Sequence, residues 1–69
     1  MNQSSKKMLI NELKAQGFDF EKNVFELSFS ERTMFNDYAK EFKYRKPKDG
    51  YHSLGGHFYM HLQKLNQKL

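Results

Sequence analysis

Cysteine and tryptophan are absent from this chain, proline occurs once and glycine four times. Without cysteine there is no disulfide framework, no thiolate metal site and no thiol nucleophile, and a reducing compartment is the expected setting. No apolar run approaches the roughly 18 residues that a membrane span takes. No basic, then apolar, then small-residue segment of the secretory type opens the sequence. A cytoplasmic protein without a membrane partner is the resulting expectation. At 69 residues the chain suits one domain, residues 1–69, with little surface left over for a multi-part enzyme site. No internal repeat or low-complexity tract is present.

What is abundant is aromatic. Seven Phe and four Tyr supply 16% of the residues, and large rings bury much apolar area per position. A domain this small, lacking disulfides and metal, draws only ~3–5 kcal/mol from its core, so the rings are the expected source of stability. Lys dominates over Arg, and Asn, Phe and Tyr are frequent while Ala, Gly and Pro are scarce. That usage follows AT-rich codons, as in many accessory proteins of mobile elements; it speaks to source and not to function.

Acid is scarcer than base: 8 Asp and Glu against 12 Lys and Arg leave a net charge of +4. The charge is uneven. Lys6, Lys7 and Lys14 outweigh Glu12 in residues 1–18, and six acids outweigh Lys22, Arg32 and Lys40 in residues 19–42. In residues 43–69, Lys43, Arg45, Lys46, Lys48, Lys64 and Lys68 face Asp49 alone. Basic ends around an acidic middle suggest an anionic partner, or charge complementarity within the fold.

The periodicity predicts a mainly α, compact three-helix domain. Met8, Leu9, Ile10 and Leu13 place helix 1 at 5–16, capped by Ser4 or Ser5 after a frayed 1–4, with Gly17 in the left-handed position that ends it. Residues 18–29 alternate Phe18 with Phe20 and Phe25, Leu27 with Phe29. They read as a short extended or β-hairpin segment, with a short helix capped by Asp19 as the alternative. Helix 2 spans 31–43. Ser30 caps it with Phe29 and Met34 as a hydrophobic staple, or Ser28 does so in a capping box with Glu31. Lys46, restricted by Pro47, bars it from continuing. Residues 44–56 read as a basic loop rich in turn formers, Asp49-Gly50 among them. Helix 3 follows at 57–68, or from near Ser53 if its glycines are tolerated, with Phe58, Leu62, Leu65 and Leu69 on one face.

The sharpest functional feature is Lys43-Tyr44-Arg45-Lys46-Pro47-Lys48. Cations neutralise phosphates and release counterions, and Tyr44 offers a ring face to a base or sugar. Ser53, Gly55, Gly56 and His57 follow at the start of helix 3, where free amides attract anions, and Lys64 extends the surface, as do Lys6, Lys7 and Lys68. The plainer reading is a solvated loop whose glycines only serve the turn. A helix-turn-helix is disfavoured, because that motif wants a turn of about 3–4 residues and here residues 44–56 intervene. His57 and His61 share a helical face, with His52 near, but Phe58 stands where a zinc-hydrolase helix needs Glu. Histidines of a polar face or an interface are the stronger reading, and no metal or cofactor is expected. No nucleophile has a recognisable base and oxyanion hole. The expectation is therefore a small non-enzymatic nucleic-acid-binding accessory protein, DNA or RNA, that contacts phosphates. The alternative is a protein–protein interaction module, a small regulator or inhibitor, using the aromatics of 18–29 or the acidic face of helix 2. A homodimer through the leucines of helix 3 is a further possibility.

Overall fold

The computed structural model describes residues 3–48 and 52–69. They form three helices, α1 (Gln3–Ala15), α2 (Phe29–Glu41) and α3 (Leu54–Gln67), with one turn of 3-10 helix at Val24–Glu26. The predicted mainly helical architecture is the observed one. The Cα radius of gyration, 11.2 Å, matches the value of about 11 Å expected for a packed chain of this length.

Helix α3 is the hub. It packs most extensively on α2, and also on α1 and on the 3-10 turn. Phe58, Tyr59 and Leu62 are fully buried, and they meet Ile10 and Leu13 of α1, Phe20, Val24 and Leu27 of the connection, and Phe35 and Ala39 of α2 in one core. Gly55 makes the α2–α3 approach possible. A Cβ there would stand 2.5 Å from the Arg32 carbonyl oxygen and 2.8 Å from the Asn36 nitrogen, so only glycine lets the two backbones meet.

The helix ends follow local chemistry. Residues Gly17 and Phe18 close α1 as a Schellman motif. The Gly17 amide donates to the Lys14 carbonyl and the Phe18 amide to that of Leu13, both at 2.9 Å, with Gly17 at φ 95°. At its other end α1 starts at Gln3, so Ser4 and Ser5 lie inside the helix and are not its caps, and Ser4 is helical where fraying was expected. Met1, Asn2 and the Asp49-Gly50 turn lie outside the described residues. Helix α2 starts at the earlier of its two candidate caps. The Ser28 side chain accepts from the Glu31 amide, and the Glu31 carboxylate accepts from the Ser28 amide. That bond, ahead of a contribution from Lys22, holds the Glu31 carboxyl below the usual carboxylate range despite its partial burial. The staple with Met34 is not formed, because Phe29 becomes the first helical residue and is 84% exposed. Helix α3 starts at Leu54, three residues before the main expectation, because Ser53 caps it at the Gly56 amide. The basic loop correspondingly ends at Ser53, with Gly55 and Gly56 inside the helix.

The hairpin predicted for 18–29 does not form; no strand occurs among the described residues. A hairpin exists to satisfy backbone groups between two strands. Here side chains do that. The Gln63 amide nitrogen donates to the carbonyls of Phe20 and Lys22, the Tyr59 hydroxyl donates to that of Lys22, and the Arg32 guanidinium donates to that of Val24. A capping box between Asn23 and Glu26 then winds the middle into the 3-10 turn. The short helix capped by Asp19 is not formed either; the Asp19 carboxylate accepts from the Glu21 amide in a turn.

Burial, and next the charge of Asp19, pushes the Tyr59 phenol up to about 12, against about 10 in an unfolded chain. Below the unfolded value both states keep the proton and the contribution to stability is intact. Between the two values the unfolded state loses its proton first, so stability falls as pH rises. Replacing Tyr59 with Phe should cost about 1 kcal/mol at neutral pH through the lost hydrogen bond. It should also flatten the alkaline decline by about 1 kcal/mol at about pH 11. Urea unfolding of both proteins at neutral and alkaline pH checks this; an unchanged alkaline slope in the variant would assign the decline to other groups.

Candidate functional site

Helix α2 ends in a second Schellman motif, which launches the basic segment. The Lys43 amide donates to Lys40 and the Tyr44 amide to Ala39, at 3.1 and 2.8 Å. Lys43 takes the left-handed position with φ 57°, a conformation that costs a non-glycine residue about 1–2 kcal/mol. The motif turns the chain back over α3. Tyr44 lands with its ring 5.3 Å from Phe58 and 5.1 Å from His61, half-buried, and burial raises its phenol pKa so that the hydroxyl stays neutral. Arg45, Lys46, Pro47 and Lys48 follow as exposed, irregular chain. None of Lys43, Arg45, Lys46, Lys48 and Lys64 pairs with a carboxylate among the described residues. Acid and base do meet elsewhere, where Lys22 stands 3.0 Å from Glu31.

Between this segment and α3 lies a pocket of about 310 Å³, lined by Tyr44, Pro47, His57, Met60, His61 and Lys64. The four α3 residues are spaced i, i+3, i+4 and i+7, one continuous helical face. From α1, the Lys6 ammonium donates to His61 Nε2 at 2.9 Å. An accepting Nε2 means a neutral ring with its proton on Nδ1. Burial, and then the charges of Lys6 and Lys64, lower the His61 pKa and hold that neutral form.

The predicted site residues thus divide. Tyr44, His57 and Lys64 line the pocket, with Lys43, Arg45, Lys46 and Lys48 on the exposed chain that borders it. Ser53, Gly55 and Gly56 belong elsewhere. Ser53 is engaged as the α3 cap. Gly55 faces the α2 backbone, and Gly56 faces His52, Ser53 and Val24. Both glycines are buried, and at Gly55 the missing Cβ serves the packing of α3 on α2 rather than approach by a phosphate. Sequence reasoning placed His61 with a metal set, Met60 on the flank of the apolar stripe and Pro47 as a helix stop; the shared α3 face was the available signal for the first two. Among the described residues no three His, Cys, Asp or Glu side chains gather as a metal site.

The aromatics of 18–29 divide as well. Phe20 is buried and Phe18 packs edge-on against Phe20, Phe35 and Tyr59, while Phe25 and Phe29 are 62% and 84% exposed. Leu62 and Leu65, on which the dimer expectation rested, are core residues; Leu69 is exposed. A second concavity, about 240 Å³, separates α1 from α2 between Met8, Leu9, Tyr38 and Phe42, with Glu12 and Glu41 on its rim. No helix among the described residues is long and apolar enough to cross a membrane. No protein-family model, curated protein or solved structure compared with the chain matches it.

Proposed function

We propose that this protein is a small non-enzymatic nucleic-acid-binding module that holds phosphates on the face formed by residues 43–48 and α3. One observation carries the reading. Arg45, Lys46 and Lys48 are exposed and unpaired by acid among the described residues, beside a pocket to which Lys64 contributes a further cation. Cations with no acidic partner among the described residues exchange small counterions for phosphates, which is the main source of such affinity. Phosphate contacts position a chain without reading sequence, so affinity is modest and sequence preference low.

The test replaces Arg45, Lys46 and Lys48 together by Ala. Lys43 is left in place, because its backbone conformation would confound the result. The parent protein should bind labelled oligonucleotides with a log–log salt slope near about −3 to −4. The variant should lose about two to three units of that slope while its thermal unfolding stays within the small range usual for surface substitutions. An unchanged slope, or a variant that unfolds, would remove the reading.

A protein-interaction module remains the second reading, supported by the exposure of Phe25 and Phe29. Its complex would survive moderate salt, because apolar association is not screened.

A further inference from the structure

We propose that the pocket between residues 44–48 and α3 is a subsite for one unpaired nucleotide, so that the protein prefers single-stranded nucleic acid to duplex. The inference rests on the nucleic-acid reading above and names the substrate class of the same face. The lining has two halves. His61 and Lys64 supply polar donors, with the Lys6 ammonium 2.9 Å from His61 Nε2. Tyr44, Pro47 and Met60 supply ring and apolar surface. Among the described residues no carboxylate lines the pocket. A phosphate beside Lys6, His61 and Lys64 meets two ammonium groups and a neutral imidazole, and a base set against Tyr44, Pro47 and Met60 meets a surface that tolerates any ring.

Size and access argue for an unpaired unit. At about 310 Å³ the pocket is at the small end of ligand sites, which start near roughly 300 Å³. In a duplex the bases are stacked inward, and extruding one costs a few kcal/mol. A single strand presents its bases without that cost, and each base stacked on an aromatic side chain contributes about 1–3 kcal/mol. A duplex offers its phosphates to the exposed cations of 45–48 but keeps its bases stacked inward, so it gains nothing from the ring of Tyr44.

The neutral His61 ring adds a signature. The groups around it are Lys6 from α1, Tyr44 from the segment after α2, and Phe58 and Lys64 on α3 itself, with His57 one turn earlier in the same lining. Both charged neighbours are cations, and they disfavour a third positive charge. A bound phosphate reverses that balance, so binding draws a proton onto the ring and affinity climbs as pH falls.

Fluorescence anisotropy with labelled oligothymidylate, oligouridylate and a mixed-sequence duplex of equal length tests the inference at one low salt concentration. The single strands should bind at least about tenfold more tightly than the duplex, the equivalent of one stacked base. Lys64→Glu should weaken single-strand binding about tenfold or more, with a smaller effect on duplex held by residues 45–48. His61→Gln, whose amide oxygen still accepts from Lys6, should bind but lose the gain in affinity on acidification. Equal binding of duplex and single strands, or a Lys64→Glu variant that weakens both alike, overturns the subsite and leaves the phosphate-binding reading standing. No binding of any oligonucleotide overturns both. Circular dichroism of each variant confirms folding, and His61→Gln serves if Lys64→Glu does not fold.

Discussion

Gly55→Ala should destabilise the protein by about 2–4 kcal/mol, although alanine is the better helix former by about 1 kcal/mol. The added Cβ meets Arg32 oxygen and Asn36 nitrogen at 2.5 and 2.8 Å. Both are backbone atoms of a regular helix, so no side-chain rotation relieves the overlap and α2 must move off α3. That displacement opens the most extensive helix pair of the fold. The neighbouring Gly56 supplies the control. A Cβ there comes no closer than 3.4 Å to any neighbour, the His52 Cβ, so Gly56→Ala should be neutral or stabilising by up to about 1 kcal/mol. Urea titrations of the two variants should move in opposite directions. A tolerated Gly55→Ala would mean that the helices are not held at this distance in solution.

The second large effect is expected at Phe35. Its ring is fully buried and lies 5.4 Å from Phe18 and 5.1 Å from Tyr59, so it joins α2, α3 and the connection that replaces the hairpin. Truncating a buried Phe to Ala costs about 3–5 kcal/mol. A domain of this length has a total stability of about 3–10 kcal/mol. Phe35→Ala should therefore be partly or wholly unfolded at room temperature, with loss of the near-ultraviolet circular dichroism of its tyrosines. Phe29→Ala removes the same ring from a position that is 84% exposed and should change stability by no more than about 0.5 kcal/mol. Equal effects at the two positions would contradict the packing described here.

These contrasts separate what local chemistry decides from what packing decides. Apolar spacing of 3.6 residues, serine caps and a glycine after an apolar stripe act within a single turn, so the three helices were legible from the chain alone, with ends shifted by a few residues. The Ser28–Glu31 pairing was legible as one of two options, and packing exposed Phe29 where a staple would have buried it. The basic run 43–48 was legible too, because its charge needs no fold to be counted. Residues 18–29 were not. Their alternation suits a strand, but a strand needs a backbone partner, and Tyr59 and Gln63, remote in sequence, take up those carbonyls together with Arg32, eight residues beyond Val24. The two glycines of α3 looked alike and are not, since only the position of α2 distinguishes them. The pocket was likewise invisible: Lys6 and His61 lie 55 residues apart, and nothing along the chain places α1 beside that face of α3. By itself the sequence determined that three helices form, which apolar spacing sets locally, and the sign of the charge, which composition sets. The tertiary structure alone decided which aromatics are core, which glycine is indispensable and which cations share a pocket, because each depends on groups brought together from distant segments.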